Sequence, residues 1–431
     1  MSGPAIIDDL GRTGLAQPAR VGRSDTVPTK PVPAIATGRF QVEVLEDPSR
    51  VNPNDPDWRE LVEEAIEANS FLEPWFVASA ARWFAHEHPW RLVRVWREPA
   101  APHESRTLCG VIALELANRF GSWRVPHLRT WRHRYGFLGA PLVRRSHERD
   151  FWRELFAWAD GCSGARFLEL RLLPGEGPLH RALVEELRVS SRLAHTVDEH
   201  TRALLETATD SESYLERALS KNHRRELRRR YRRFQEAGRL TLRELTDATQ
   251  LDHWIGEFLR LEASGWKGAE SGALALDRSR GEFFSEMATR AFLAERLELF
   301  GFFVDDRPVA LKCNLRAGNG GFAFKIAYDE EFAKYSPGVQ LEVANIDRLH
   351  DAEPDGATPA SWRAPTRWMD SCAIPDHPMI NRLWSERRVV RRLAISTHNR
   401  LGDLALAALP LRKIVSGWFR KQPSAGNVAD H

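Results

Sequence analysis

The chain has 431 residues, more than one ordinary hydrophobic core accounts for, so two domains are expected. Its 62 Lys and Arg against 59 Asp and Glu leave a net charge of +3, which excludes a protein that binds polyanions over its whole surface. Four scattered cysteines (Cys109, Cys162, Cys313, Cys372) with no C-x-x-C pair exclude a disulfide frame or a zinc site of that spacing, and the lack of a run of about 20 apolar residues excludes a spanning helix.

Residues 1–38, rich in Pro, Gly, Ser, Thr and Ala, read as a disordered leader without a signal-peptide core. A first α+β unit follows over 39–208. It opens with a strand at 40–45 and helices at 57–69 and 71–84. Paired strands at 91–96 and 107–116 come next, then a helix at 150–159, a strand at 165–172, a helix at 179–187 and a strand at 201–205.

A long helix is expected over 214–237. Leu219, Leu227, Tyr231 and Phe234 share one arc, and Lys221, Arg224, Arg225, Arg228, Arg229 and Arg232 fill the other, with His223 and Arg230 as exceptions inside the apolar arc. Three readings stay open for the basic arc. It is a solvated face, a surface drawn to anionic lipid at roughly 1 kcal/mol per basic residue, or an RNA contact. Tyr231 is the one aromatic near the run, which puts RNA, and nucleic acid generally, behind the other two.

The next helix, 246–263, stops at Ser264-Gly265 and leaves Trp266-Lys267-Gly268 on the following loop; another helix covers 281–294. The informative stretch is 299–350. An apolar strand at 299–304 turns at Asp305-Asp306-Arg307 into a second strand at 308–315, and a glycine-rich turn leads to a third at 322–329. Tyr335-Ser336-Pro337-Gly338-Val339-Gln340 then opens a helix. Unpaired N–H groups and the helix dipole make such a start an anion site, or else a plain helix cap. It is neither a Walker loop nor a three-glycine dinucleotide fingerprint.

Beyond it, 366–372 reads as a strand, 375–384 as a loop with a short helix, and 386–396 as the strand that closes the sheet. Cys372 stands beside Asp370 with His377 five residues on, but sequence neighbours rarely form a catalytic triad. In 411–421, Leu411, Ile414, Val415, Trp418 and Phe419 face away from Arg412, Lys413, Arg420 and Lys421. That is an interfacial-helix pattern, or a terminal helix docked on its own domain.

Glu262 to Gly268, Phe324 to Asp329, Tyr335 to Gly338 and Met369 to Cys372, together with the arginine-rich helix, carry a resemblance that spans about 200–385. The chain resembles the GNAT acyltransferase superfamily and, more narrowly, the double-GNAT acetyltransferases of cellulose-biosynthesis (CelD-like) type, relatives of the Fem-type transferases. The resemblance implies an α+β fold of two tandem GNAT-like domains, each a mixed, mostly antiparallel sheet flanked by helices, with a C-terminal amphipathic helix in 399–431. The unit at 39–208 would lack the cofactor, and 209–398 would be the acyltransferase.

The implied co-substrate is acyl-CoA or acetyl-CoA, with its pyrophosphate on Tyr335, Ser336, Pro337, Gly338, Val339 and Gln340 and its thioester flanked by the strand from Phe324 to Tyr328. Transfer to an amine needs a base, an oxyanion donor and a proton for the thiolate. Asp329 or Glu262 is the candidate base, Lys325 and Lys267 the cations, Tyr328 or Tyr335 the acid, and Trp266 borders the acceptor. Each has a plainer role open to it: Glu262 in an ion pair, Lys325 as a sheet-edge charge, Asp329 in a turn. No metal is implied. The expected acceptor is an amine of a lipid, sugar or peptide envelope precursor, a sphingoid base among them, met at the cytoplasmic membrane face with peripheral contact through 411–421. The alternatives are a Fem-type aminoacyl-tRNA-dependent transferase and a non-catalytic accessory protein of polysaccharide assembly.

Overall fold

Asp55 ahead of Pro56 starts the first helix: its carboxylate accepts from the Trp58 N–H, and Pro56 removes a donor that would otherwise go unpaired. The computed structural model describes residues 40–84, 90–101, 103–162, 164–207, 210–264, 278–350, 366–372 and 378–408. In the first half these form β1 (Phe40–Leu45), α1 (Pro56–Glu64), α2 (Pro74–Phe84), β2 (Trp90–Arg97), β3 (Thr107–Ala117), β4 (His127–Thr130), β5 (Leu142–Val143), α3 (Glu148–Asp160), β6 (Phe167–Pro174), α4 (Pro178–Val189) and β7 (Ala194–Glu206). The second half holds α5 (Ser211–Ala218), α6 (Lys221–Gln235), β8 (Leu240–Glu244), α7 (Leu251–Ser264), α8 (Arg278–Leu293), β9 (Leu297–Val304), β10 (Arg307–Ala317), β11 (Gly320–Tyr328), α9 (Pro337–His350), β12 (Trp368–Asp370), α10 (Pro378–Leu383), β13 (Glu386–Ser396) and α11 (Arg400–Ala407).

Among the described residues the strands make one sheet in the order β1-β2-β3-β4-β6-β13-β7-β12-β11-β10-β9-β8, with β5 on β3. Neighbours run antiparallel except at β4/β6 and β11/β12, which are parallel. In each half a strand, two helices and three antiparallel strands are followed by a helix, a strand parallel to the last of the three, a further helix and a closing strand (β1 to β7 and β8 to β13), so the halves repeat in element order. The α+β fold with a large, mostly antiparallel sheet is the one expected. Its last strand is the surprise. β13 lies between β6 and β7 and pairs with both, so a C-terminal strand joins the two halves.

The halves also share a core. Phe71 meets Phe322 edge-on with centroids 5.0 Å apart, and Tyr135 stacks on Phe283 at 5.3 Å. Ser70 Oγ donates to the Arg316 carbonyl at 2.8 Å, and Trp83 Nε1 donates to Glu286 at 2.8 Å. Burial of this many aromatics is the dominant cohesive term between the halves.

The expected helix over 214–237 is two helices. Leu219 is extended (φ −125°, ψ 139°) and Ser220 starts α6 afresh, its hydroxyl accepting from the His223 N–H at 3.4 Å. A helix-capping serine outweighed the helix propensity on either side. Likewise the helix expected from 246 begins at Leu251, after a 3-10 turn capped by Asp247. The strand expected at 201–205 starts at Ala194, because β13 gives it a partner along its length. The leader 1–38, the loop with Gly265, Trp266, Lys267 and Gly268, His377, and the expected helix 411–421 lie outside the described residues.

Candidate active site

β11 and β12 pair only at Gly320 with Trp368, Gly321 with Met369 and Phe322 with Asp370. A Cβ on Gly320 would stand 1.9 Å from the Trp368 ring, so only glycine lets the indole lie across this pair. Past Phe322 the strands part. β11 continues to Tyr328 on β10 alone, while Ser371 turns away to donate to the Ala203 carbonyl of β7 at 3.1 Å. The result is a wedge with Phe322 and Asp370 at its apex. On its β11 arm the register against β10 slips: Cys313 faces Lys325 and Asn314 faces Ala323, leaving Phe324 unopposed. Such a bulge turns backbone polar groups out of the ladder, here beside an open edge.

The open arm leads into the start of α9. Ser336 is left-handed (φ 56°), Pro337 and Gly338 are buried, and a Cβ on Gly338 would stand 3.5 Å from the Tyr328 ring. The Val339 and Gln340 N–H groups fold back on the Ser336 carbonyl at 3.0 and 3.1 Å. The Gly338 N–H, without a partner among the described residues, and the dipole of a 14-residue helix remain for an anion. The chain also adds a cation. Arg230 of α6 donates to Ser336 Oγ at 2.5 Å, and Gln340 reaches the other way, donating to the Leu227 carbonyl at 3.0 Å. Tyr335 stacks on Phe234 of α6 at 5.3 Å. Val339 is partly buried and packs against the core beneath.

Lys325 and Glu262, read separately in the sequence, form one pair: Nζ to Oε1 is 2.5 Å, with Glu262 buried at the end of α7. Lys325 also stands 5.7 Å over the Tyr135 ring. Asp329 is turned elsewhere: it caps the turn at Glu331 (3.1 Å) and pairs with Arg307. Tyr328 lies against Gly338, its phenol pushed up by burial and then by Glu330. Cys372 is buried, and burial with Asp370 drives its thiol well above the ordinary range, which disfavours the thiolate a nucleophile needs.

Three further contributors take their places only in the fold. Loop 131–141 of the first half leans on the wedge: Phe137 and Tyr135 lie 5.9 and 6.3 Å from the Phe324 ring. Fully buried Asp370 takes Arg388 at 3.0 Å and Arg202 at 3.6 Å, and accepts the Cys372 N–H at 2.8 Å. Beneath α9, Lys312 and Glu342 pair at 2.7 Å, both buried, next to Asn314 and Asn345 at 2.9 Å. Alternation places Lys312 and Asn314 on the α9 side of β10, a hint present in the sequence but unread.

β11 with its bulge and the start of α9 lie in the stretch of chain that the family comparison recognises. Residues 221–356 match the model of the acetyltransferase (GNAT) domain. This part of the chain is a GNAT domain. No curated protein matches the chain. Among solved structures, a conserved protein of unknown function from Bacteroides thetaiotaomicron shares 10% identity over 83% of this chain and 100% of its own, with a TM-score of 0.51. FemX shares 10% identity over 86% of this chain and 99% of its own, also at 0.51. At such identity the likeness is one of fold. With the GNAT domain in place, the chain is an acyltransferase.

Proposed function

We propose that this acyltransferase moves an acyl group from acyl-CoA to an amine, with the donor along the wedge and its pyrophosphate at the start of α9. The observation that carries the reading is the wedge itself: an open strand edge with a bulge at Phe324, running into Ser336-Pro337-Gly338. Gly338, with no side chain to hold a phosphate off, and Arg230 beside Ser336 suit two negative charges.

In the reaction the amine attacks the thioester carbonyl, the C–S bond breaks and the thiolate leaves; one proton passes from the amine and one is gained by the sulfur. Lys325, held by Glu262, is the cation nearest the bulge and would steady the oxyanion. Glu262 would take the amine proton through water, and Tyr328, next to Gly338, would protonate the thiolate. Trp266 and Lys267, which follow α7 in the sequence, would border the acceptor. Asp329 is the weakest of the original candidates, since its carboxylate is committed to Arg307 and a turn. The acceptor would be an amine on a lipid, sugar or peptide envelope precursor at the membrane face, a sphingoid base among them.

The test is a thermal shift with CoA, acetyl-CoA and palmitoyl-CoA on wild type and Gly338→Trp. Stabilisation in the wild type alone, growing with ligand as linkage requires, supports the reading, and the preferred chain narrows the donor. No shift with any thioester overturns it.

A second reading, the Fem-type use of aminoacyl-tRNA, draws on α6, where Arg225, Arg232 and Arg233 are exposed without an ion pair among the described residues. Co-purifying RNA would favour it.

A further inference from the structure

Apart from the donor wedge, the first half and the joining strand bring together an unusual number of guanidinium groups. Arg129 on β4, Arg171 on β6, Arg392 and Arg388 on β13, Arg202 on β7 and Arg132 on loop 131–141 share three carboxylates. Glu115 takes Arg129 and, at 4.0 Å, Arg171; Glu169 takes Arg392; Asp370 takes Arg388 and Arg202. Arg132 is left over, with no hydrogen bond or ion pair among the described residues.

Two details turn this excess into a site. The Arg202 side chain is 3% exposed, and its Nη2 has no hydrogen-bond partner among the described residues; Nη1 donates to the Phe137 carbonyl at 2.6 Å, which fixes the guanidinium plane. A buried, oriented and half-used guanidinium costs stability unless something completes it. Arg132 and Arg171 also line one cleft with Thr130 and Gly139. That cleft is firmly built. The Gly139 N–H donates to the Leu172 carbonyl at 3.0 Å, and a Cβ there would stand 2.0 Å from the Arg171 carbonyl. The Arg171 N–H donates to Thr130 Oγ1 at 3.1 Å. Arg132 and Arg171 are both pulled below their ordinary values, first by desolvation from the surrounding protein, although Arg132 as a whole residue is exposed, and neighbouring arginines add to the effect.

We propose that Arg132 and Arg171 form a cradle for an oxyanion of the acceptor, a phosphate or carboxylate borne on the molecule whose amine is acylated, with the buried guanidinium of Arg202 adding to the positive field. The planar guanidinium fork suits either group, and an anion there supplies the missing charge. The same loop joins cradle to wedge: Phe137, whose carbonyl holds Arg202, has its ring against Phe324. An acceptor anchored in the cradle therefore extends toward the bulge and Lys325. The word acceptor rests on the acyltransfer reading; the anion site does not.

The experiment is calorimetric titration and thermal shift of the full chain with inorganic phosphate and with acetate, on wild type, Arg132→Gln, Arg202→Lys and Gly338→Trp. Wild type binds at least one of the two, and whichever binds tells phosphate from carboxylate. Arg132→Gln, at an exposed position, weakens binding about tenfold, as loss of one charge-assisted contact implies, and without anion it melts no lower than wild type because a repulsive neighbour is gone. Arg202→Lys keeps the buried charge and leaves binding near wild type. Gly338→Trp keeps the anion response. Equal binding by wild type and Arg132→Gln overturns the cradle, as does absence of binding by both anions. No shift of wild type with any thioester, beside an intact, Arg132-dependent anion response, overturns the donor reading and leaves the cradle standing.

Discussion

Arg230 Nη1 donates to Ser336 Oγ across 106 residues of sequence and joins the basic helix to the start of α9. The position looked anomalous on a helical wheel, a cation inside an apolar arc, because its partner is remote. Arg230 also pairs with Glu226 at 2.8 Å, which leaves it charged and oriented. Arg230→Gln should weaken CoA binding about tenfold, the loss of one charge-assisted contact, with the melting temperature nearly unchanged. Titration calorimetry beside a melting curve checks both halves of that expectation.

The Lys312–Glu342 pair lies out of water between sheet and helix. Removing one partner strands the other. Lys312→Met should cost about 3–5 kcal/mol, whereas Lys312→Met with Glu342→Met should lie near wild type, since replacing a whole buried pair by packed apolar groups is often neutral. Urea unfolding of the three proteins decides it.

His133 is stacked on Phe84 at 5.1 Å, and burial, with Arg132 second, pushes it down to about 3. The unfolded chain takes up a proton near pH 6.5 while the folded one does not. Stability from this group is therefore complete above pH 6.5 and falls as pH drops toward 3. The loss by pH 5 is about 2 kcal/mol. His133→Phe should flatten that part of the profile, seen as a smaller gap between melting temperatures at pH 7.5 and 5 than in wild type.

Ser220 caps α6 and ends the continuity of the arginine-rich run. Ser220→Ala should cost about 1 kcal/mol, measured by urea unfolding.

How much of this was legible in the chain depends on how far apart the partners lie. The hairpin β9–β10, strand β11 and the Ser-Pro-Gly start of α9 follow from local signals, because turn chemistry and capping act over a few residues. Glu262 and Lys325 were each visible as charges, but their pairing is a fact of packing across 63 residues. The break at Ser220 was hidden by strong helix formers on both sides. Loop 131–141 carried no strand or helix period, and its meeting with Phe324 depends on how two halves dock. Nothing in the pattern of Glu386–Ser396 said which two strands it would separate.

That last strand reverses the usual relation between synthesis and assembly. A ribosome makes β6 and β7 about 200 residues before the segment that lies between them. Until then each presents an unsatisfied edge, and a gap of two strand spacings, roughly 10 Å, has to be held open or found again. Docking of the halves thus waits for the most distant contacts in the chain, the kind that make folding slow. Nascent protein is exposed to edge-to-edge association for about half of its time on the ribosome, and a chain cut short before residue 386 would keep both edges for good.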